Sequence, residues 1–138
     1  MIYEMIAEIK IPELHDGIVW YSPFFNREPD LLHDGSFAEW SVAPGCGFRL
    51  VQGQTDSKNG VLRFGVYNLE TELKRLKKEI GIEIVDLQIK TEQSMQTRWC
   101  TLNDPWMNKT ELYEYLNEKH KSQVILSIQD DWNTAGPA

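Results

Sequence analysis

Cysteine is scarce. Cys46 and Cys100, the two in 138 residues, are too few for a disulfide framework and too far apart for a CxxC metal or redox motif. They read as reduced, small core-filling residues. Histidine is almost as rare: His15, His33 and His120 share no paired spacing, which points to surface and capping roles rather than a metal site. Basic residues number 14 against 21 acidic ones, for a net charge of -7. The few that cluster, Lys74-Arg75 and Lys77-Lys78, fall on the wet face of an expected helix. Nucleic acid and an acidic membrane surface both demand concentrated positive charge, so neither is expected as a partner. No apolar run approaches the roughly 20 residues that cross a bilayer. The first ten residues carry Glu4 and Glu8 inside their apolar stretch, unlike a secretory signal, and a cytoplasmic protein is expected.

What is present is ordinary in amount and ordered in pattern. Hydrophobic residues make up 41 % and charged ones 25 %, enough for one domain with its own core. The phrase Ile11-Pro12-Glu13-Leu14 recurs in kind as Val66-Tyr67-Asn68-Leu69, each time after a strand-like run and before a helix-like one. Over 4–11, Met5, Ala7, Ile9 and Ile11 alternate with Glu4, Ile6, Glu8 and Lys10, the mark of a strand with one apolar face. His15-Asp16 suit the start of a short helix carrying Ile18, Trp20, Tyr21 and Phe24, which Pro23 should end or kink. A polar, turn-rich stretch over 26–36 precedes strands at 37–42 and 48–52, separated by a turn over 43–47. Cys46 sits between two glycines there, but no histidine is placed to activate it, so tight-turn packing is the expected role.

A linker-like stretch at 52–60 separates the repeats. After it come a strand at 61–66 and the strongest helix of the chain, 69–80, where Leu69, Leu73, Leu76 and Ile80 form one stripe. Asn68 is placed to cap it and Gly81 to end it. Strands are expected at 82–89 and 98–102. The segment from 109 to about 118 is contested. Asn108 and Glu111 have the form of a capping box and favour a helix, whereas the repeat favours a strand. The repeat is given more weight, because tertiary context overrides local propensity. The final stretch, with an apolar run at 124–128 and a lone Trp132, lies outside the repeat.

These features resemble the vicinal-oxygen-chelate superfamily, which includes glyoxalase I, bleomycin- and fosfomycin-resistance proteins and ring-cleaving dioxygenases. The resemblance rests on the two unit starts, the step from helix to Gly81, and Asp104-Pro105-Trp106-Met107-Asn108 with Glu111-Leu112, which is similar to the family's Asp-Pro-x-Gly-Asn…Glu-Leu close. Met107 stands where the family usually has glycine. The implied fold is α+β, two pseudo-symmetric βαβββ modules curled into a barrel-like sheet around a cleft. It implies one domain over 1–116, with modules at about 4–53 and 61–116, and a C-terminal extension over 117–138.

Enzymes of that family hold a divalent metal with four side chains, one from each of four strands. Carried over by position, those places hold Ile6, Arg49, Val61 and Glu111. Only Glu111 is a metal ligand by chemistry, and a guanidinium in that shell repels a cation. No metal or other cofactor is therefore expected, and no catalytic residue is assigned. Strand alternation instead turns Glu8, Arg49, Arg63, Trp99, Glu111 and Tyr113 toward the cleft. Two acids and two bases there suggest an internal salt-bridge network in place of the ion. The leading expectation is a metal-free, non-catalytic binder of a small organic molecule, anionic or aromatic, working as a homodimer. A metal-dependent lyase or dioxygenase is the alternative, and a structural or interaction dimer with a closed cleft is the third reading.

Overall fold

The computed structural model describes residues 1–33, 35–54, 60–82, 87–92 and 95–117, with backbone alone for 87–92 and 95. The expectations for the middle of the linker and for the extension past Asn117, His120 and Trp132 included, lie outside these residues. Two strand-helix-strands units follow one another. The first comprises β1 (Met5–Ile11), α1 (Leu14–Phe25), β2 (Leu31–His33), β3 (Phe37–Ala43) and β4 (Cys46–Gln52). The second comprises β5 (Leu62–Gly65), α2 (Leu69–Ile80), β6 (Leu87–Glu92), β7 (Met95–Asn103) and β8 (Lys109–Tyr115). Their sheets have the same strand order, β1-β4-β3-β2 and β5-β8-β7-β6, and in each the first and last strands of the unit run parallel. The repeat seen in the sequence is thus a repeat of topology. The sheets remain two four-stranded sheets and do not close into a barrel.

Alternation works as expected in β1, where Ile9 and Ile11 are buried while Glu8 and Lys10 are exposed. In α2 the stripe Leu69, Leu73 and Leu76 is buried. Each such leucine contributes roughly 2 kcal/mol by leaving water. The Asn68 side chain accepts from the Thr71 N–H, and the Gly81 N–H donates to the Lys77 carbonyl, so both ends of α2 are closed. Pro23 lies inside α1 rather than ending it. Asn26, in the left-handed conformation at φ 58°, ends the helix instead, and its N–H donates to the Pro23 carbonyl.

Several boundaries differ from the sequence expectations. The β3–β4 turn is tighter than 43–47: β4 starts at Cys46, so that residue belongs to a strand and the turn rests on Pro44 and Gly45, at φ 72°. The turn-rich stretch hides β2, a three-residue edge strand whose side chains are all exposed and which therefore carries no alternation signal. The strand expected at 82–89 is found as β6 over Leu87–Glu92, with 83–86 outside the described residues, and β7 starts at Met95, three residues before the expected 98. The contested segment is strand β8, paired with both β5 and β7.

The reason lies in the turn before β8. Asp104 is buried, and its Oδ1 accepts from the N–H groups of Trp106 at 2.9 Å and Asn108 at 2.8 Å. Its Oδ2 accepts from Asn108 Nδ2 at 2.7 Å and from the Tyr21 hydroxyl at 2.6 Å. Asn108 is thereby committed to closing a hairpin rather than to starting a helix. Tyr21 comes from α1, so this carboxylate also clasps the two modules together. Burial first, and then the neighbouring Asp104 charge and bond, raise the Tyr21 hydroxyl well above its ordinary range.

A second clasp joins the helices. Arg75 of α2 donates to the Pro23 and Phe24 carbonyls at the end of α1, and pairs with Glu72 at 2.9 Å and Glu79 at 3.0 Å. Between these clasps lies an aromatic cluster of Tyr21, Phe24, Phe25, Trp40, Phe48 and Phe64, which draws on both units.

Candidate functional site

On the sheet face opposite α1, Arg49 stands between Glu8 on β1 and Glu39 on β3 in the strand register. Its Nε lies 2.8 Å from Glu39 Oε1, and its Cζ sits 4.2 Å above the Phe37 ring. The equivalent row of the second sheet runs Arg63, Glu111, Thr101 across β5, β8 and β7. Here Arg63 Nε lies 2.8 Å from Glu111 Oε2, with Cζ 4.9 Å from the centre of the Tyr113 ring. Each module has thus built the same small device: an arginine held by a glutamate on the neighbouring strand and laid over an aromatic ring. The acid and the base exchange places between the two copies, since Arg49 on β4 corresponds to Glu111 on β8.

The expected network is therefore reorganised. Among the described residues no salt bridge joins the two modules, and Arg49 and Arg63 are each paired through Nε within their own sheet. Glu8 is exposed, and the Arg63 side chain keeps 57 % of its surface. These pairs are half-exposed, not a sealed set of buried charges. Glu39 was not anticipated from the sequence. A tight hairpin register sets it opposite Arg49, but a five-residue turn at 43–47 obscures that register.

Of the six residues expected in the cleft, Arg63, Glu111, Trp99 and Tyr113 share the second sheet, while Glu8 and Arg49 share the first. Trp99 lies opposite Tyr113, and its buried indole N–H has no partner among the described residues. Burial holds the Tyr113 hydroxyl above its ordinary range, with Tyr115 adding to the effect and Arg63 opposing it.

A cleft of about 380 Å³ lies between β5 and the β1-β4-β3 side of the first sheet. Six consecutive residues, 62–67, line it. Side chains of a strand alternate between faces, so the cleft must wrap around a free edge, and β5 is an edge strand. Met5, Ala7 and Phe48 form the opposite wall, and Tyr113 and Tyr115 enter from β8. Arg63 and Tyr113 are the two expected cleft residues found on this lining. Tyr115 was missed, although it is two positions beyond Tyr113 and so on the same face. Gly65 makes the arrangement possible: a Cβ there would come within 3.1 Å of the Tyr113 ring and hydroxyl. The phenol lies across the strand where any side chain would displace it.

The metal of the resembled family finds no matching donor set. Ile6 and Val61 have no donor atoms, Arg49 is paired with Glu39, and Glu111 is paired with Arg63. Among the described residues no three His, Cys, Asp or Glu side chains are grouped to hold an ion.

No family model matches the sequence, and no curated protein does. Solved structures match the fold. A glyoxalase/bleomycin resistance protein from Catenulispora acidiphila superposes with a TM-score of 0.66 at 18 % identity, over 80 % of this chain and 96 % of that one. A fosfomycin resistance protein from Listeria monocytogenes gives 0.63 at 16 % identity, over 83 % and 94 %. A glyoxalase/bleomycin resistance protein/dioxygenase from Alicyclobacillus acidocaldarius gives 0.64 at 13 %, over 84 % and 93 %. The chain has the vicinal-oxygen-chelate fold. The four positions at which the resemblance led us to expect metal ligands carry two aliphatic residues and two members of arginine–glutamate pairs.

Proposed function

We propose that this protein is a metal-free, non-catalytic binder of a small organic molecule, acting as a cytoplasmic homodimer. The observation that supports the reading is that Arg49 and Glu111, two of the positions at which the resemblance puts metal ligands, each belong to an arginine–glutamate pair resting on an aromatic ring. A positive guanidinium and two hydrocarbon side chains favour an organic guest over a divalent ion. The 380 Å³ cleft falls in the size range of small-molecule sites, and its lining is mainly apolar with a few polar groups. The free thiols Cys46 and Cys100 agree with a reducing compartment. Among the described residues no helix is long and apolar enough to cross a membrane.

Two measurements on the purified full chain test this reading. Elemental analysis should find no divalent metal at stoichiometric level, and a thermal-shift screen of organic molecules should find compounds that raise the melting temperature, because a ligand bound only to the native state stabilises it. Stoichiometric zinc, nickel, manganese or iron would restore the lyase or dioxygenase reading. A flat response to the whole screen would leave a scaffold with no guest.

A further inference from the structure

Among the described residues lining the cleft along β5, Arg63 alone carries a charge; the rest are aliphatic, aromatic, phenolic, thiol, thioether or glycine. Arg63 is also held in place. Its Nε is fixed by Glu111 at 2.8 Å, and the plane of its guanidinium is backed by Tyr113. A guanidinium has five N–H donors, and the Glu111 contact at Nε leaves the forked outer edge as the natural seat of a second carboxylate. Around that fork the walls are rich in rings: Phe48, Phe64, Tyr67, Tyr113 and Tyr115. A neighbouring depression, lined by Asn68, Thr71 and Arg75, is a weaker candidate, because Arg75 is committed to two main-chain carbonyls and two glutamates.

Resting on the binder reading above, we infer that the guest of this cleft is a small aromatic monocarboxylate, and that Arg63 is the residue that selects it. The ring system lies against Phe64 and the tyrosines, and the carboxylate takes the outer fork of Arg63. Glu111 already draws on this cation, so the site favours a guest of a single negative charge over one of two or more. A polyanion such as a nucleotide would face a chain of net charge -7 with no second cation among the described residues of the cleft. Glu111 then acts as a tuning residue: it orients Arg63 and competes with the guest for it.

The test compares 1-naphthoate with its neutral counterpart 1-naphthalenemethanol by calorimetry on the full chain. The expected result is that naphthoate binds at least about tenfold more tightly, as a charge-assisted bidentate contact requires. Arg63→Met should abolish that preference, bringing the ratio of the two affinities to about one. Glu111→Gln, which keeps Arg63, should widen the ratio in favour of naphthoate several-fold. This second variant also settles the matter if Arg63→Met does not fold. Equal binding of both probes by the unmodified protein overturns the inference about charge while the binder reading stands. Binding of neither probe overturns the inference, and the wider screen then decides the binder reading separately. Tighter binding of 1-naphthyl phosphate than of naphthoate also overturns it, in favour of a dianion site.

Discussion

Met107 is the residue at which the chain departs most plainly from the pattern it otherwise follows. It has φ 68° and is largely exposed. The left-handed region costs an L-residue roughly 1–2 kcal/mol, which explains why glycine is usual in such a turn. Glycine also loses more freedom on folding, by roughly 0.5–1 kcal/mol, so Met107→Gly should stabilise the protein by the difference, about 0.5–1 kcal/mol. Denaturant unfolding of the two proteins checks this; a loss of stability would mean that the Met107 side chain makes a contribution its exposure does not suggest. Cys100 gives a pH prediction. Burial pushes its thiol from the ordinary 9 up to about 11, so the unfolded chain releases this proton first as pH rises. The stabilisation is complete below pH 9 and declines between about 9 and 11, by roughly 1 kcal/mol per pH unit. Melting temperatures across that window should fall less steeply in Cys100→Ala than in the unmodified protein. Parallel slopes would show that the thiol ionises alike in both states.

At the level of elements, what could be read from the sequence followed how much of each pattern is local. The α2 helix was legible from end to end, because its cap, stripe and terminator all lie within 14 consecutive residues, Asn68 to Gly81. Strand β8 was legible only through the repeat. Its local signals say helix, and they are overridden by Asp104, which takes up Asn108, and by pairing with β5 and β7. Strand β2 was not legible, since an exposed three-residue edge has no alternation to detect. The candidate site divides in the same way. Which side chains share a face followed from alternation, so Arg63, Glu111 and Tyr113 were found together. Which acid meets which base depended on register across a turn, and this hid Glu39 from Arg49.

For the molecule as a whole, the modules are joined by few but buried links. The Tyr21 hydroxyl reaches Asp104 across 83 residues of chain, in the interior. Tyr21→Phe keeps the ring packing and removes only this bond. It should cost about 2 kcal/mol, the scale of a hydrogen bond to a charged acceptor. Equilibrium unfolding measures it, and an unchanged midpoint would show that the bond contributes nothing net. The partners of Asp104 within its own turn would remain, so the variant should keep the β7–β8 hairpin and weaken chiefly the docking of α1.

A carboxylate that serves both a local turn and a distant helix has a consequence for how the duplicated halves behave in time. The two repeats share hydrogen-bonding groups: the carboxylate of the hairpin turn also takes the phenol of the first helix, and the last carbonyls of that helix take the guanidinium of the second. Twin units of this kind should protect their core amides from hydrogen exchange to the same depth and surrender them in one event, as a single cooperative body with two similar faces.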